Sequence, residues 1–278
     1  MIFASLELAR RLEAAEAING VACAEAHRRL NPELGAAEQE VAGGFAIFVG
    51  AASPLTHVVG LGMHGPVRPH ELDCLEAFYD ARGAVVSVDL CPLADASFVE
   101  LLGDRGYCVT EFNNVLVRPL AGAEIGPPVS PVSSAGEGDE QLWARTVGRG
   151  FLEKDALTAD EMDVGRAIFH MPGAMCYLAF HEGQAVAAGA MAMRSGLATL
   201  FADSTRMGYR GAGLHCALIV ERLRAALNQG CDLATASTLP GSVSQRNYER
   251  SGFRVVYTKA TLVRGTLPKG SKVVPLPR

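Results

Sequence analysis

LATLFADSTRM (Leu197–Met207), GYRGAGLHC (Gly208–Cys216) and ALIVERLR (Ala217–Arg224) read in succession as strand, turn and helix. The first segment carries alternating, β-tolerant residues. Gly208, Gly211 and Gly213 crowd the turn, and Leu214, Ala217, Leu218 and Leu223 then recur at helical spacing. A glycine-rich turn that feeds a helix N-terminus points several backbone N–H groups outward with no Cβ in the way, which makes an anion cradle. Arg210 adds a positive charge at its entrance, so a phosphate or pyrophosphate suits the turn best. A dinucleotide fold would need G-x-G-x-x-G and a later acidic residue, and a P-loop would need Gly-Lys-Ser/Thr; this stretch has neither pattern.

Arg210-Gly211-Ala212-Gly213-Leu214-His215 resembles the R/Q-x-x-G-x-G/A signature of the GNAT superfamily of acyl-CoA-dependent N-acetyltransferases, with His215 standing where that family has Gly or Ala. The resemblance implies acetyl-CoA as cosubstrate, its pyrophosphate on the N–H groups of Arg210, Gly211, Ala212, Gly213, Leu214 and His215. It also implies that the preceding strand parts from its neighbour at a bulge and binds the pantetheine arm through unpaired backbone groups. Asp203 and Thr205 would supply those contacts by position, the alternative being an ordinary strand end.

Tyr248-Glu249-Arg250-Ser251-Gly252-Phe253 resembles the family's Y-E-x-x-G-F segment, whose tyrosine lies near the thioester sulfur. Tyr248 is therefore the expected general acid for the departing thiolate, with a non-catalytic tyrosine as the bland reading. An asparagine frequent in the family seven residues earlier is replaced by Gly241, and Asn247 is expected to meet the cofactor instead. The general base stays open between Asp203, Glu182, His181, His170 and a water chain. Ser242 and Ser244 either contact a ligand or, for Ser242, cap the helix that begins near Val243.

Composition narrows the classes. The 278 residues are 49% hydrophobic, enough for two cores, and carry a formal charge of −5. With no basic run or stripe, nucleic acid is not expected as a partner. The longest uncharged stretch, Val41–Val67, is broken by glycines and by Pro54 and Pro66 into two short strands, so no membrane span is expected. The N-terminus lacks the basic n-region of a secretion signal, and a cytoplasmic protein is expected. Seven cysteines, with no C-x-x-C, read as buried reduced thiols, and the scattered histidines give no metal site.

The order of elements repeats. LLGDRGYCVTEFNNVLVR (Leu101–Arg118) aligns without a gap with NYERSGFRVVYTKATLVR (Asn247–Arg264), pairing Gly106 with Gly252 and Leu116-Val117-Arg118 with Leu262-Val263-Arg264. Between the copies, Pro119–Gly138 is rich in Pro, Ser and Gly and reads as a linker. We therefore expect an α/β (α+β) chain of two tandem GNAT-like domains, each a mixed, mostly antiparallel sheet flanked by helices. They comprise a degenerate first domain (1–120), a linker (121–138) and a catalytic domain (139–278). Two helices are expected within Leu6–Leu30. In the first domain the cradle position falls on MHGPVRPH (Met63–His70), where Pro66 and Pro69 lack N–H donors, so one CoA per chain is expected.

Function is thus expected to be acetyl transfer from acetyl-CoA to the amine of a small molecule. The alternative is a non-catalytic acyl-CoA-binding or protein-interaction module. Monomer and homodimer are both compatible with the sequence.

Overall fold

The computed structural model describes residues 2–265. In chain order the elements are α1 (Leu6–Leu30), β1 (Ala37–Val41), β2 (Gly44–Phe48), β3 (Val58–Val59), α2 (Pro69–Asp80), β4 (Ser87–Leu90), α3 (Ala96–Asp104) and β5 (Tyr107–Pro119). They continue with β6 (Val132–Ser134), α4 (Glu140–Leu152), α5 (Ala159–Phe169), β7 (Ala174–His181), β8 (Gln184–Arg194) and β9 (Leu197–Thr205). The last are α6 (Leu214–Asn228), β10 (Leu233–Thr238), α7 (Val243–Arg250) and β11 (Arg254–Arg264). Two compact units result, one formed by residues up to Val115 together with those from Val256, the other by Leu116–Val255.

The first unit has strand order β1-β2-β3-β4-β11-β5. β1, β2 and β3 are antiparallel neighbours, β3 and β4 run parallel, and β11 pairs antiparallel with β4. Its core gathers Val58, Leu72, Leu75, Tyr79, Val88, Phe98, Leu102 and Leu262. The expectation of two N-terminal helices is corrected: α1 runs unbroken for 25 residues. Gly20, a candidate helix breaker, is retained because a Cβ there would come within 3.0 Å of Ile47 on β2, so the glycine lets helix and sheet approach. A buried polar group joins α1 to β11. The Tyr257 hydroxyl donates to Glu13 at 2.8 Å and Lys259 donates to Glu16 at 2.6 Å. Burial pushes the Glu13 carboxyl up to about 7 against the pull of Lys259.

The second unit has strand order β5-β10-β9-β8-β7-β6. Thr235 of β10 donates to the Leu116 carbonyl at 3.0 Å, and Leu120 N–H to Asp232 O at 2.8 Å, which seats the end of β5 here. β6 to β9 are antiparallel, and β9 and β10 are the parallel pair. The core packs Leu218, Ile219, Leu223, Tyr248 and Phe253 against Met191, Leu200 and Ala234. α4 crosses α5 closely because Gly165 faces Ala144, where a Cβ would meet Ala144 Cα at 3.0 Å. Thr158 and Glu161 cap α5 reciprocally.

These units divide the chain differently from the expected boundaries. β6 lies inside the expected linker and pairs with β7, because Val132-Ser133-Ser134 can continue a sheet edge despite the surrounding prolines. β11 falls in the first unit, drawn there by its register with β4 and its bonds to α1. The repeated segment is plain in both: α3 and α7 each end at a left-handed glycine, Gly106 (φ 75°) and Gly252 (φ 85°), and each leads into a long strand. Among the described residues no helix is long and apolar enough to cross a membrane, and no cluster of three or more His, Cys, Asp or Glu could hold a metal ion. Four cysteines are buried as expected, whereas Cys74 and Cys108 are exposed and Cys216 is intermediate.

Candidate functional site

β9 carries the decisive irregularity. Its pairing with β8 shifts between Ala188 and Ala190, so that Ala202 and Asp203 together oppose the single residue Gly189. Ala202 takes a left-handed φ of 55°, a conformation that one class of bulge uses. On its other side β9 pairs with β10 only from Leu197 to Leu200, ending at Ala236, although β9 continues to Thr205 and β10 to Thr238. Past that point the two strands part and leave backbone groups facing a fork. Thr238, at the end of β10, is buried there with its hydroxyl unpartnered. Trp143 of α4 donates to the Tyr177 carbonyl at 3.1 Å and to the carbonyl of Gly189, the residue opposite the bulge, at 3.3 Å.

β9 leads into a short 3-10 turn (Met207–Tyr209) and then the glycines, with Gly211 at φ 82° and Gly213 at φ 78°. Gly213 is the N-cap of α6 and offers no side-chain cap, so the first-turn N–H groups of the helix point at an open face. A Cβ on Gly211 would meet nothing within 4 Å. Gly211, Ala212 and Gly213 are exposed, while the Leu214 side chain is buried in the core and only its backbone faces the turn. This open helix start fits a pyrophosphate, and the fork beside it fits the amide-bearing arm of an acyl-CoA.

The side chains around this cradle lie otherwise than the sequence suggested. Arg210 does not project over the turn: it donates to Glu153 at 2.8 Å, to the Gly150 carbonyl at 3.1 Å and to the Thr205 carbonyl at 3.3 Å. His215 turns inward. Its Nδ1 lies 3.1 Å from the Asn247 amide, its Nε2 lies 3.5 Å from Asp203, and its ring stands edge-on to Tyr248 at 5.5 Å. Asp203 is the hub. It accepts from Arg222 of α6 and from the Tyr248 hydroxyl. Its own side chain is thus committed, and any contact to a pantetheine arm falls to the backbone around it.

Electrostatics follow from that burial. Desolvation pushes the Asp203 carboxyl up, but Arg222, with help from His215, outweighs it and holds the group down to about 2. Arg222, wholly buried, loses hydration, and Asp203 more than restores its charged form. Tyr248 is pushed well above the usual phenol value, first by burial and then by Asp203. Gly189 makes the cluster feasible, because a Cβ there would lie 2.8 Å from Asp203 Oδ1 and 2.9 Å from Arg222 Nη1.

Asp203, His215, Asn247 and Tyr248 are therefore brought together, and Thr205 ends β9 beside them. His181 ends β7 and Glu182 lies in the β7–β8 turn, His181 packing edge-on against Tyr209, and His170 pairs with Glu140 at 3.0 Å. Ser242 spends its hydroxyl capping α7, accepting from Gln245 N–H at 3.0 Å. Sequence reasoning missed Arg222, Gly189 and Glu153. Arg222 left one signal: it sits four residues after Leu218 on the apolar stripe of α6, where a solvated arginine has no place.

No protein-family model matches this chain, and no curated protein does. Solved structures do. A GCN5-related N-acetyltransferase from Kribbella flavida is 17% identical with a TM-score of 0.63, covering 89% of this chain and 96% of that one. A tandem GNAT protein from the clavulanic acid biosynthesis pathway is 13% identical with a TM-score of 0.59, covering 89% of each. A GCN5-related N-acetyltransferase from Sphaerobacter thermophilus is 16% identical with a TM-score of 0.55, covering 71% of this chain and 68% of that one. With its parallel pair, bulged strand and glycine turn, the chain has the fold of the tandem GCN5-related N-acetyltransferases.

Proposed function

We propose that the second unit transfers an acetyl group from acetyl-CoA to the amine of a small molecule, in a cytoplasmic protein whose first unit is a scaffold. The observation that carries this reading is the parting of β9 from β10 immediately before an uncapped, glycine-led helix start. The arm would be held by backbone groups of the fork, and the pyrophosphate by the N–H groups of Gly211, Ala212, Gly213, Leu214 and His215 with the Arg210 guanidinium beside them. The neutral amine nitrogen attacks the thioester carbonyl and gives up a proton to water, the C–S bond breaks, and the thiolate takes a proton. Tyr248 is the proposed donor because its hydroxyl bonds Asp203, a residue of the bulge.

Two measurements test this. CoA should raise the melting temperature of the full chain, and acetyl-CoA should release free thiol when a pooled amine library is added. Gly213→Glu, which puts a negative side chain on a left-handed residue of the cradle, should abolish both responses. A Gly213→Glu protein that binds CoA like the wild type would remove the turn from the site.

One observation favours a second reading, a non-catalytic acyl-CoA-binding or protein-interaction module. The Tyr248 proton is already given to an ionised carboxylate, and a phenol so placed holds it tightly. Stabilisation by CoA without thiol release for any amine would support that module.

A further inference from the structure

Arg210 stands in the turn that the proposed function gives to a pyrophosphate, yet its charge is engaged by a carboxylate of the chain itself. Glu153 closes α4 in a left-handed conformation (φ 54°), unusual for a residue with a side chain, and its Oε1 accepts from Arg210 Nη1 at 2.8 Å. The same guanidinium reaches the Gly150 carbonyl at the end of α4. A second tie runs in parallel: Arg206, just before the turn, pairs with Asp155 at 3.3 Å, and Arg149 donates to the Asp155 carbonyl at 2.8 Å. The connection between α4 and α5 is thus fastened to the entrance of the cradle by two arginines and two carboxylates.

We propose that Glu153 is an internal competitor for the cofactor: it occupies the Arg210 guanidinium that a pyrophosphate would take, and CoA binding releases it. This rests on the CoA reading above. Arg210 and Glu153 are each more than a third exposed, at 38% and 45%, so their pair is weak enough to exchange for a doubly charged phosphate partner. Release breaks the ties of Arg210 to Glu153 and to the Gly150 carbonyl, so the α4–α5 connection gains conformational freedom when cofactor arrives. By linkage the effect is reciprocal: whatever pulls Glu153 away from Arg210 tightens CoA binding by the same factor.

The test is calorimetric titration of CoA into the full chain as wild type, Glu153→Gln, Arg210→Gln and the double variant. Glu153→Gln should bind CoA about fivefold more tightly than wild type. In the Arg210→Gln background the same change should have no effect, because the cation in dispute is gone. Equal affinity for wild type and Glu153→Gln would overturn the competition. So would a gain from Glu153→Gln that persists without Arg210, since Glu153 would then merely repel phosphate through space. If the wild type and all three variants fail to bind CoA, the CoA reading itself falls and the competition with it.

Discussion

Asp203 stays ionised out of water only because Arg222 is fixed beside it, and that dependence has a pH signature. The folded carboxyl titrates at about 2, below its ordinary value of 3.8. A group lowered on folding adds stability that is fully present above the unfolded value and is lost as pH falls through the folded one. Asp203→Asn should cost about 3–5 kcal/mol near neutral pH by leaving Arg222 buried and unpaired, and the gap to wild type should narrow by about 2 kcal/mol toward pH 2. Denaturant melts from pH 2 to 7 would show it, and a gap constant with pH would mean that Asp203 is not the ionised partner. Tyr248 divides the two functional readings at the same scale. As general acid, Tyr248→Phe should lower turnover roughly 10²-fold with CoA affinity unchanged. As a strut alone, it should cost about 1.5–3 kcal/mol of stability and leave any thiol release as it was. Thiol-release kinetics beside a denaturant melt separates these. The members of the hub other than Arg222 were named along the chain through the family resemblance, but their contacts with one another were not readable there. Asp203 and Arg222 are 19 residues apart, and which way the His215 ring turns depends on a rotamer set by Asn247 and Tyr248 rather than by its place in the motif.

The two helices that follow the third and ninth strands begin in opposite ways. α6 starts on a left-handed glycine with no side-chain hydrogen bond to its N–H groups. α2 starts on Pro69, and Glu71 bends back so that its carboxylate accepts from Arg68 N–H at 2.8 Å. A proline removes a donor, and an internal carboxylate supplies the anion that such an end attracts. We therefore predict one CoA bound per chain, and a calorimetric stoichiometry near two would show that α2 also serves. This difference was legible in MHGPVRPH against GYRGAGLH, because proline and glycine act on their own backbone. The parting of β9 and β10 was legible only through the family resemblance. Nothing in Ala202 or Asp203 announces a bulge, and Gly189, which makes room behind it, lies on another strand. The unbroken α1 was missed for the converse reason: Gly20 looks like a helix break until Ile47 is seen against it.

The alternation of helices and strands, the two cores and the repeated helix-glycine-strand segment were all open to reading, because each is written in local periodicity. The allotment of the last strand was not. Tyr257 and Lys259 of β11 look like surface and core residues of their own half until Glu13 and Glu16 are placed beside them. That allotment sets a timetable for biosynthesis. When the ribosome has finished β5, the first unit still lacks β11, the strand that lies between β4 and β5, and roughly 140 residues must follow before it emerges. At ordinary translation speeds that is a wait on the order of ten seconds. Through it the nascent first unit keeps two strand edges unpaired and the Glu13 carboxyl without its lysine, a state that invites chaperone capture. The half of the protein made first is completed last.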